Sequence, residues 1–373
     1  GFQALFAAAY REASIALEKT KTQLEVLRKH NVVDSGAAGF VRFLAGINRV
    51  FADRRTAIAD DTDPEDAPAL TPESETLTKR YCTEATVTLA PGLAEPGAAI
   101  RAALAPLGDS LIVTPWTGHA KVHIHTDAPD LVMEQLSAFG VPVGQKADDM
   151  ALQSRLRARP AGGVGIVTDS IADLPEALVD RYAISVLPMG LLMHGAAYLD
   201  KVTLRLPRLF AAMENAEDYP TSSQPEPERI RTLLAARLET FDSLIVLSVS
   251  SRLSNTFQAL TQAAEKLSTP QKPVTVVDTK LNSGAQGLMV KLAAELAEGG
   301  MEHEEIVKQV MERIPRTKIY VCLNTLAYAV RGGRVPDTIG RLGMKLGMRP
   351  IMTLDARGRG AAFGVAFSQA GLT

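Results

Sequence analysis

The sequence predicts an α/β fold with more than one domain. The chain has 373 residues, which is too long for one ordinary domain, and 46% of them are hydrophobic, enough for separate cores. From Val164 onward, apolar strand-like runs alternate with amphipathic helix-like segments. This alternation is typical of a parallel sheet covered by helices, with right-handed crossovers between the strands.

The N-terminal part of the chain is predicted to be helical and then to become a linker. Apolar residues recur at helical spacing over residues 5–29, and Asp34 or Ser35 is placed to cap a second helix. The acidic, proline-containing residues 56–77 are predicted to be a linker. The chain starts without methionine inside a helical pattern and stops soon after a strand-like run, so we expect it to be part of a longer protein.

Residues 78–157 are predicted to form a small α/β domain. Its segments read strand, helix, strand, strand, helix, and Gly118 lies in a turn that would pair the second and third strands as a hairpin. In chain order the segments are Thr83–Leu89, Ala98–Leu107, Ser110–Pro115, Lys121–Thr126 and Pro129–Phe139. Residues 158–163 are predicted to be a second linker.

Residues 164–317 are predicted to form a parallel α/β lobe, and residues 318–373 the incomplete start of a second lobe. The first lobe has strand candidates at Val164–Thr168, Ile184–Pro188, Leu244–Ser248 and Val274–Asp278. Its helix candidates are Pro175–Arg181, Glu226–Leu238, Ser254–Lys266 and Gly284–Ala297. The second lobe has strand-like segments at Ile319–Leu323, Pro350–Leu354 and Ala361–Phe367.

Composition excludes several classes of function. The net charge of −2 lacks the basic excess of a nucleic-acid-binding protein. The two cysteines, Cys82 and Cys322, cannot form a disulfide framework, which favours a reducing cytoplasm. There is no apolar run of ~18 residues, so the sequence predicts neither a membrane span nor secretion.

Cys82, His123 and His125 form a candidate metal site. Residues two apart on a strand face the same side, so both histidines would point in one direction. Thiolate and imidazole are zinc ligands, and His119 or Glu84 could complete the tetrahedral set. The alternative is a surface histidine pair beside an unrelated buried cysteine.

Hydroxyl-rich turns follow apolar strands in the C-terminal half. In an open α/β sheet, ligands bind at the carboxyl ends of the strands, and neutral hydroxyls suit a carboxylate or phosphate head group. The alternative is that each turn only caps the following helix. The candidate residues are Asp169, Ser170, Ser222, Ser223, Ser250 and Ser251.

The Arg331-Gly332-Gly333-Arg334 turn carries two guanidinium groups. It would suit phosphate or an acidic partner, because arginine offers planar bidentate donors. The alternative is a solvated loop. No glycine-rich nucleotide-binding motif is present, and no histidine lies near the candidate serines, so neither ATP binding nor a catalytic triad is supported.

Residues 164–373 resemble the DegV family, bacterial proteins that bind fatty acids and present them to fatty acid kinase. The matching motifs are Val167-Thr168-Asp169-Ser170, Thr221-Ser222-Ser223-Gln224-Pro225, Ser250-Ser251-Arg252-Leu253-Ser254, Val277-Asp278-Thr279-Lys280 and Arg331-Gly332-Gly333-Arg334. Three departures are Ser222 in place of the usual Thr, Asn255 in place of Gly, and the absence of a carboxylate-binding His that would lie beyond Thr373.

Residues 1–157 resemble fatty acid kinase itself. Val32-Val33-Asp34-Ser35-Gly36 is similar to the end of a dihydroxyacetone-kinase L-subunit-like (DhaL) domain, which makes residues 1–55 a helical remnant of a kinase domain. Residues 78–157 look like the kinase's middle domain, through Tyr81-Cys82-Thr83-Glu84, Gly108-Asp109-Ser110 and Lys121–Thr126. The resemblance implies that Cys82, His123 and His125 bind Zn²⁺, and that the chain is a kinase–carrier fusion.

The resemblance also implies a function. The hydroxyl turns would hold the carboxylate of a long-chain fatty acid for ATP-dependent phosphorylation to an acyl phosphate, which an acyltransferase of phospholipid metabolism would consume. Arg331 and Arg334 would dock a kinase domain, in cis or in trans, or steer phosphate. The ATP and Mg²⁺ sites would lie before Gly1, so we expect no catalysis by this chain alone. The alternatives are a kinase of the dihydroxyacetone type acting on another small substrate, and a non-catalytic docking protein.

Overall fold

The computed structural model describes residues 2–23, 28, 33–52, 77–215, 219–333 and 335–367. The chain divides into two compact units, Gly1–Glu75 and Thr76–Thr373. Most of the predicted linker 56–77 and part of the predicted helix 5–29 lie outside the described residues.

The first unit contains helices α1 (Phe2–Gln23) and α2 (Ser35–Ala52). Asp34 caps α2, because its Oδ1 accepts a hydrogen bond of 2.7 Å from the Ala37 amide. The Asp34 amide donates in turn to the Thr20 hydroxyl at 2.9 Å, which ties the start of α2 to α1. The helical pattern read from the sequence is therefore found in the described part of this unit.

Residues 78–157 form a four-stranded antiparallel sheet in the order β2-β3-β1-β4, with helices on one face. The elements are β1 (Tyr81–Leu89), α3 (Pro96–Leu104), β2 (Gly108–Trp116), β3 (His119–Thr126), α4 (Pro129–Ser137), β4 (Gly140–Asp149) and α5 (Met150–Ala158). Alternate residues of β1 are buried against α3 and α4, while Cys82 and Glu84 lie on the opposite face. The predicted β2–β3 hairpin is confirmed, and Gly118 takes a φ of 71° in its turn.

Sequence reasoning missed β4 and α5. The β4 sequence contains glycine, proline and charged residues, which are depleted in strands, yet it pairs with β1 along nearly its whole length. The predicted helix Ala98–Leu107 is also shorter than expected, since α3 ends at Leu104 and a 3₁₀ turn covers Ala105–Leu107.

Residues 164–313 contain the predicted parallel sheet, in the order β11-β10-β5-β6. Its strands are β5 (Val164–Asp169), β6 (Ser185–Leu187), β10 (Ser243–Ser248) and β11 (Val274–Asp278). The helices around it are α6 (Glu176–Tyr182), α8 (Pro227–Leu238), α9 (Thr256–Leu267), α10 (Ser283–Glu298) and α11 (His303–Arg313). Every residue of β10 is buried, because helices pack against both faces of the sheet. The predicted strands and helices of this lobe are confirmed.

A small antiparallel sheet, not predicted from the sequence, follows β6. Its strands are β7 (Gly190–Met193), β8 (Ala196–Leu199) and β9 (Thr221–Ser223), in the order β8-β7-β9, and α7 (Leu206–Asn215) connects β8 to β9. The three strands have three or four residues each, too few to show an alternating pattern. This sheet places the predicted Ser222–Ser223 site on a strand.

The described residues beyond 318 form a three-stranded antiparallel sheet with two helices. The elements are β12 (Tyr320–Cys322), α12 (Ala327–Arg331), α13 (Asp337–Lys345), β13 (Arg349–Leu354) and β14 (Gly360–Ala366). The predicted α/β fold class, with a helical N-terminal region, a small middle domain and a parallel-sheet lobe, is thus confirmed. Among the described residues, no helix is both long and apolar enough to cross a bilayer.

Ion pairs join the middle domain to the parallel-sheet lobe. Arg80 pairs with Asp149 at 2.7 Å and with Asp180 of α6 at 2.9 Å. Arg155 of α5 also pairs with Asp180, at 2.6 Å. Burial acts to lower the pKa of Arg80, but the hydrogen bond with Asp149 and the nearby charges outweigh it and raise the pKa above its ordinary value.

Candidate functional site

The polar groups of the turn after β5 form hydrogen bonds with other groups of the protein. Asp169 is fully buried, and its carboxylate accepts hydrogen bonds from the Val249 amide at 2.7 Å and from Gln286 Nε2 at 3.0 Å. The Ile171 amide donates to it at 3.1 Å. The predicted site residue Asp169 therefore holds the ends of β5, β10 and α10 together.

Ser170 and Asp200 form a second buried pair beside this turn. The Ser170 hydroxyl donates to Asp200 Oδ2 at 2.6 Å and accepts from the Met189 amide at 3.0 Å. Burial raises the pKa of Asp200 above its ordinary value, and the hydrogen bond from Ser170 only partly opposes this. Burial likewise raises the pKa of Asp169.

The raised pKa of Asp200 predicts a pH-dependent stability. The folded chain binds the proton of the Asp200 carboxyl more tightly than the unfolded chain does. The contribution of Asp200 to the free energy of unfolding is therefore full below the ordinary aspartate pKa, and it is lost as the pH rises through the raised pKa. As the pH rises over that range, we expect the natural chain to lose stability relative to Asp200→Asn, because asparagine does not titrate. Urea unfolding of both proteins across this pH range measures it, and a constant difference would contradict the prediction.

The Ser250–Ser251 loop after β10 is bonded to neighbouring segments. Ser250 is fully buried, and its hydroxyl donates to the Gly358 carbonyl, between β13 and β14, at 2.8 Å. The half-buried Ser251 donates its hydroxyl to Asp278 Oδ2 at 2.6 Å. These bonds join the carboxyl ends of β10 and β11 to the second lobe.

The hydroxyls of β9 are differently placed. Ser222 is exposed and Ser223 half-buried, and within the described residues neither side chain has a hydrogen-bond partner. Gly190 pairs with Ser223, and a Cβ on this glycine would lie 2.2 Å from the Ser223 hydroxyl. The missing side chain of Gly190 therefore makes room for Ser223.

The three turns meet at one edge of the fold. Met189 precedes β7, the neighbour of β9, and its amide donates to the Ser170 hydroxyl after β5. The sulfur of Met189 accepts from the Thr256 hydroxyl at 3.5 Å, and Thr256 bonds Ser254 at 2.7 Å. Of the candidate serines, all of which lie in the described residues, Ser170, Ser250 and Ser251 donate to groups of the protein, and Ser222 and Ser223 do not.

An apolar cavity of about 430 Å³ lies between β11 and α11 of the first lobe and the start of the second lobe. Its apolar lining includes Val277, Leu281, Val307, Met311, Ile319 and Leu354. Asp278 and Lys280 lie at the same cavity, and Asp278 also holds Ser251. An apolar chamber with a few polar groups at one end suits a ligand with an alkyl body.

The three predicted metal ligands come together on the open face of the middle sheet. One ligand atom each from Cys82, His123 and His125 all lie within 4.8 Å of one another. Cys82 pairs with His125 across β1 and β3, and its sulfur is 3.9 Å from His123 Nδ1. Burial, and then nearby carboxylates, raise the pKa of the Cys82 thiol.

Two carboxylates adjoin the histidines of this cluster. Glu84 Oε1 lies 3.6 Å from His123 Nδ1, and Asp109 Oδ1 lies 3.6 Å from His125 Nδ1. His119 lies at the other end of β3, where its ring stacks on Trp116 with centroids 5.4 Å apart. Its Nδ1 lies 3.0 Å from the Thr117 carbonyl. Of the two residues considered from the sequence as a fourth ligand, the geometry favours Glu84, and it adds Asp109.

The arginine turn is described only in part. Arg331 Nη1 donates to the Met213 carbonyl of α7 at 2.9 Å, so one guanidinium helps to fix the second lobe on the first. Arg334 lies outside the described residues.

Sequence reasoning missed Gln286, whose side chain is fully buried in α10. Its Nε2 donates to Asp169 at 3.0 Å and to the Thr168 hydroxyl at 3.2 Å. The sequence signal that could have identified it is an uncharged polar residue among the apolar positions of the helix that begins at Ser283.

Comparison with known proteins identifies both parts of the second unit. Residues 163–371 match the family described as "Uncharacterised protein, DegV family", and residues 78–157 match the family of FakA-like middle domains of fatty acid kinase. A DegV domain-containing protein of Clostridium acetobutylicum is 32% identical over 189 residues, covering 51% of this chain and 67% of the relative. One from Caldanaerobacter subterraneus is 31% identical over 190 residues, with the same coverage of 51% and 67%.

A solved structure gives the same result. The fatty-acid-binding DegV family protein of Thermus thermophilus superimposes with a TM-score of 0.50 and 34% identity, covering 56% of this chain and 73% of that one. The family match extends over more than half of the chain and includes every hydroxyl turn. The chain therefore belongs to the DegV family, and its DegV domain follows a domain like the FakA-type middle domain of fatty acid kinase.

Proposed function

We propose that this chain binds a long-chain fatty acid and holds its carboxylate at Ser222 of β9, since Ser223 is the next residue of the strand and points to the opposite face. The observation that carries the proposal is that, within the described residues, the Ser222 hydroxyl has no hydrogen-bond partner at an edge where Asp169 and Ser250 are bonded inside the protein. A carboxylate needs hydrogen-bond donors, and a serine hydroxyl can donate. The DegV neighbour from Thermus thermophilus, itself a fatty-acid-binding protein, supports the choice of ligand.

The other hydroxyl-turn residues have a different role in this proposal. Asp169, Ser170 and Ser250 are buried, so they hold the turns in place rather than contact the ligand. Ser251 lies at the rim, where Asp278 orients its hydroxyl. The apolar cavity of about 430 Å³ is lined at β11 and by no described residue of β9, so the alkyl chain is not assigned to it. Burial of each CH₂ of the alkyl chain would contribute about 0.8 kcal/mol.

Removal of one head-group hydroxyl tests this assignment. We expect Ser222→Ala to weaken palmitate binding by about 1–3 kcal/mol, because the charged carboxylate loses a hydrogen-bond donor. Displacement of a fluorescent fatty acid measures the affinity. Ser154→Ala is the matched control, since Ser154 is an exposed serine of α5. Equal affinities for the natural chain and Ser222→Ala would remove Ser222 from the site.

The bound carboxylate would be presented to a kinase domain, in cis or in trans. The match of residues 78–157 to a fatty acid kinase middle domain supports this step. The kinase domain would supply ATP and Mg²⁺, and an acyltransferase would consume the acyl phosphate. Arg331 and Arg334 are candidate docking or phosphate-steering residues, and the cytoplasm would keep Cys82 reduced.

We also propose that Cys82, His123 and His125 hold a zinc ion. In a tetrahedral site with ordinary zinc–sulfur and zinc–nitrogen bonds, ligand atoms lie roughly 3.3–3.8 Å apart. The observed separations, all within 4.8 Å, need only small side-chain movements to reach that geometry. Glu84 and Asp109 would complete the site or orient the histidine rings. Such a site would stabilise the sheet that carries it.

A further inference from the structure

The middle domain does not close its core by itself. The buried cluster that contains Val87, Ile124 and Leu136 also contains residues of the DegV domain. These are Met193 of β7, Ala196 and Tyr198 of β8, and Leu204. The small β8-β7-β9 sheet therefore packs on the middle domain as part of one continuous core.

One row of directly paired residues across this small sheet connects the shared core to the proposed head-group site. Leu191 of β7 pairs with Tyr198 of β8 on one side and with Ser222 of β9 on the other. Directly paired residues have their side chains on the same face of a sheet, so Leu191 stands between Tyr198 and Ser222. Tyr198 is 7% exposed, and the partly buried Leu191 packs against the same core.

The middle domain also anchors the chain just after Ser222. Arg229, in the first turn of α8, donates through Nη2 to the Gln145 carbonyl of β4 at 3.2 Å. Before β9 along the chain, Arg205 Nε lies 3.5 Å from Asp130 Oδ1. Arg208 Nη2 lies 3.3 Å from Glu134. The strand that carries Ser222 thus lies between two regions fixed to the middle domain.

We propose that the middle domain positions the fatty-acid head group through the row Tyr198–Leu191–Ser222, with Leu191 as the main positioning residue. This rests on the proposed function, because it assigns the carboxylate to β9. Leu191 does not contact the ligand. It fixes the position of the Ser222 hydroxyl. The DegV domain therefore binds the carboxylate with full affinity only while the middle domain is packed against it.

A comparison of two ligands tests the proposal on the full chain. Palmitate and hexadecan-1-ol have the same alkyl length, but only palmitate has a carboxylate. We expect Leu191→Ala to weaken palmitate binding about tenfold, the size of one lost hydrogen bond to a charged group. Hexadecan-1-ol binding should stay within about twofold, because β9 donors contribute less to a neutral head group. Both affinities are measured by displacement of a fluorescent acyl probe. The Kd of the probe itself is first determined by titration for each variant.

Leu209→Ala is the matched control, since Leu209 of α7 is a partly buried leucine that packs against the same core. It should leave both affinities unchanged. Leu191→Val gives a smaller truncation if Leu191→Ala does not fold, and Leu191→Met should restore palmitate binding. An equal loss for both ligands, no loss for either, or the same loss in Leu209→Ala would overturn the proposal. Failure of the natural chain to bind palmitate would instead contradict the proposed function.

Discussion

Asp169→Ala is expected to lower the free energy of unfolding by about 3–5 kcal/mol, because it leaves several buried donors without an acceptor. The Val249 amide, the Ile171 amide and Gln286 Nε2 all donate to this carboxylate, at 2.7, 3.1 and 3.0 Å. Each orphaned buried donor costs about 1–3 kcal/mol, and little water can reach a fully buried site to replace the bonds. Urea unfolding at neutral pH, with the slope checked for two-state behaviour, gives the value.

Two further variants decide whether the effect belongs to Asp169. Asp169→Asn keeps one carbonyl oxygen as acceptor, so its loss should be smaller than that of Asp169→Ala. Asp173→Ala removes a carboxylate from the same loop whose side chain is 54% exposed and pairs with Lys201 at 2.7 Å. Such exposed pairs contribute up to about 1 kcal/mol. A loss no larger for Asp169→Ala than for Asp173→Ala would contradict the structural role given to Asp169.

Removal of metal is expected to have the second large effect. If zinc binds as proposed, a free zinc concentration 1,000 times the Kd stabilises the folded chain by about 4 kcal/mol. A chain of 373 residues has an unfolding entropy of about 0.8 kcal/mol/K, so each kcal/mol shifts the Tm by roughly 1.3 °C and a strong chelator should lower the Tm by roughly 5 °C. Elemental analysis should find one zinc per chain in the untreated protein. Thermal unfolding with and without the chelator measures the shift.

The histidines of the middle domain supply a matched pair of variants. His123→Ala removes a member of the cluster and should abolish stoichiometric zinc, as should Cys82→Ser. His119→Ala removes a histidine of the same strand that stacks on Trp116 instead, and it should retain zinc. Zinc retained by His123→Ala, or lost equally from His119→Ala, would refute the proposed ligand set.

The parallel lobe could be predicted because its central strands β5 and β10 are almost entirely buried. Val164–Thr168 and Leu244–Ser248 read as apolar runs bounded by polar turns, and they became neighbouring strands β5 and β10. The small sheet could not be predicted in this way. Leu191 and Tyr198 are buried by the middle domain, which is distant in sequence, so no local pattern indicates their environment.

The sequence indicated which residues belong to the candidate sites. It did not indicate which of their side chains would already have hydrogen-bond partners inside the protein. The i, i+2 spacing of His123 and His125 was enough to place both on one face of a strand. The structure brings Cys82 next to them, which the family resemblance implied and the spacing did not show. For the hydroxyl turns, the partners that occupy Asp169 and Ser250 come from α10 and from Gly358. Sequence spacing does not reveal such long-range hydrogen bonds, so it could not separate the free β9 hydroxyls from the bonded ones.

Native mass spectrometry of the purified full chain, followed by denaturing extraction and lipid analysis, tests the central claim most directly. We expect one fatty acid per chain, bound non-covalently, and a marked decrease in its occupancy in Ser222→Ala but not in Ser154→Ala. A chain that carries no fatty acid, and that takes up none when palmitate is supplied in excess, would contradict the claim that it is a fatty-acid-binding protein.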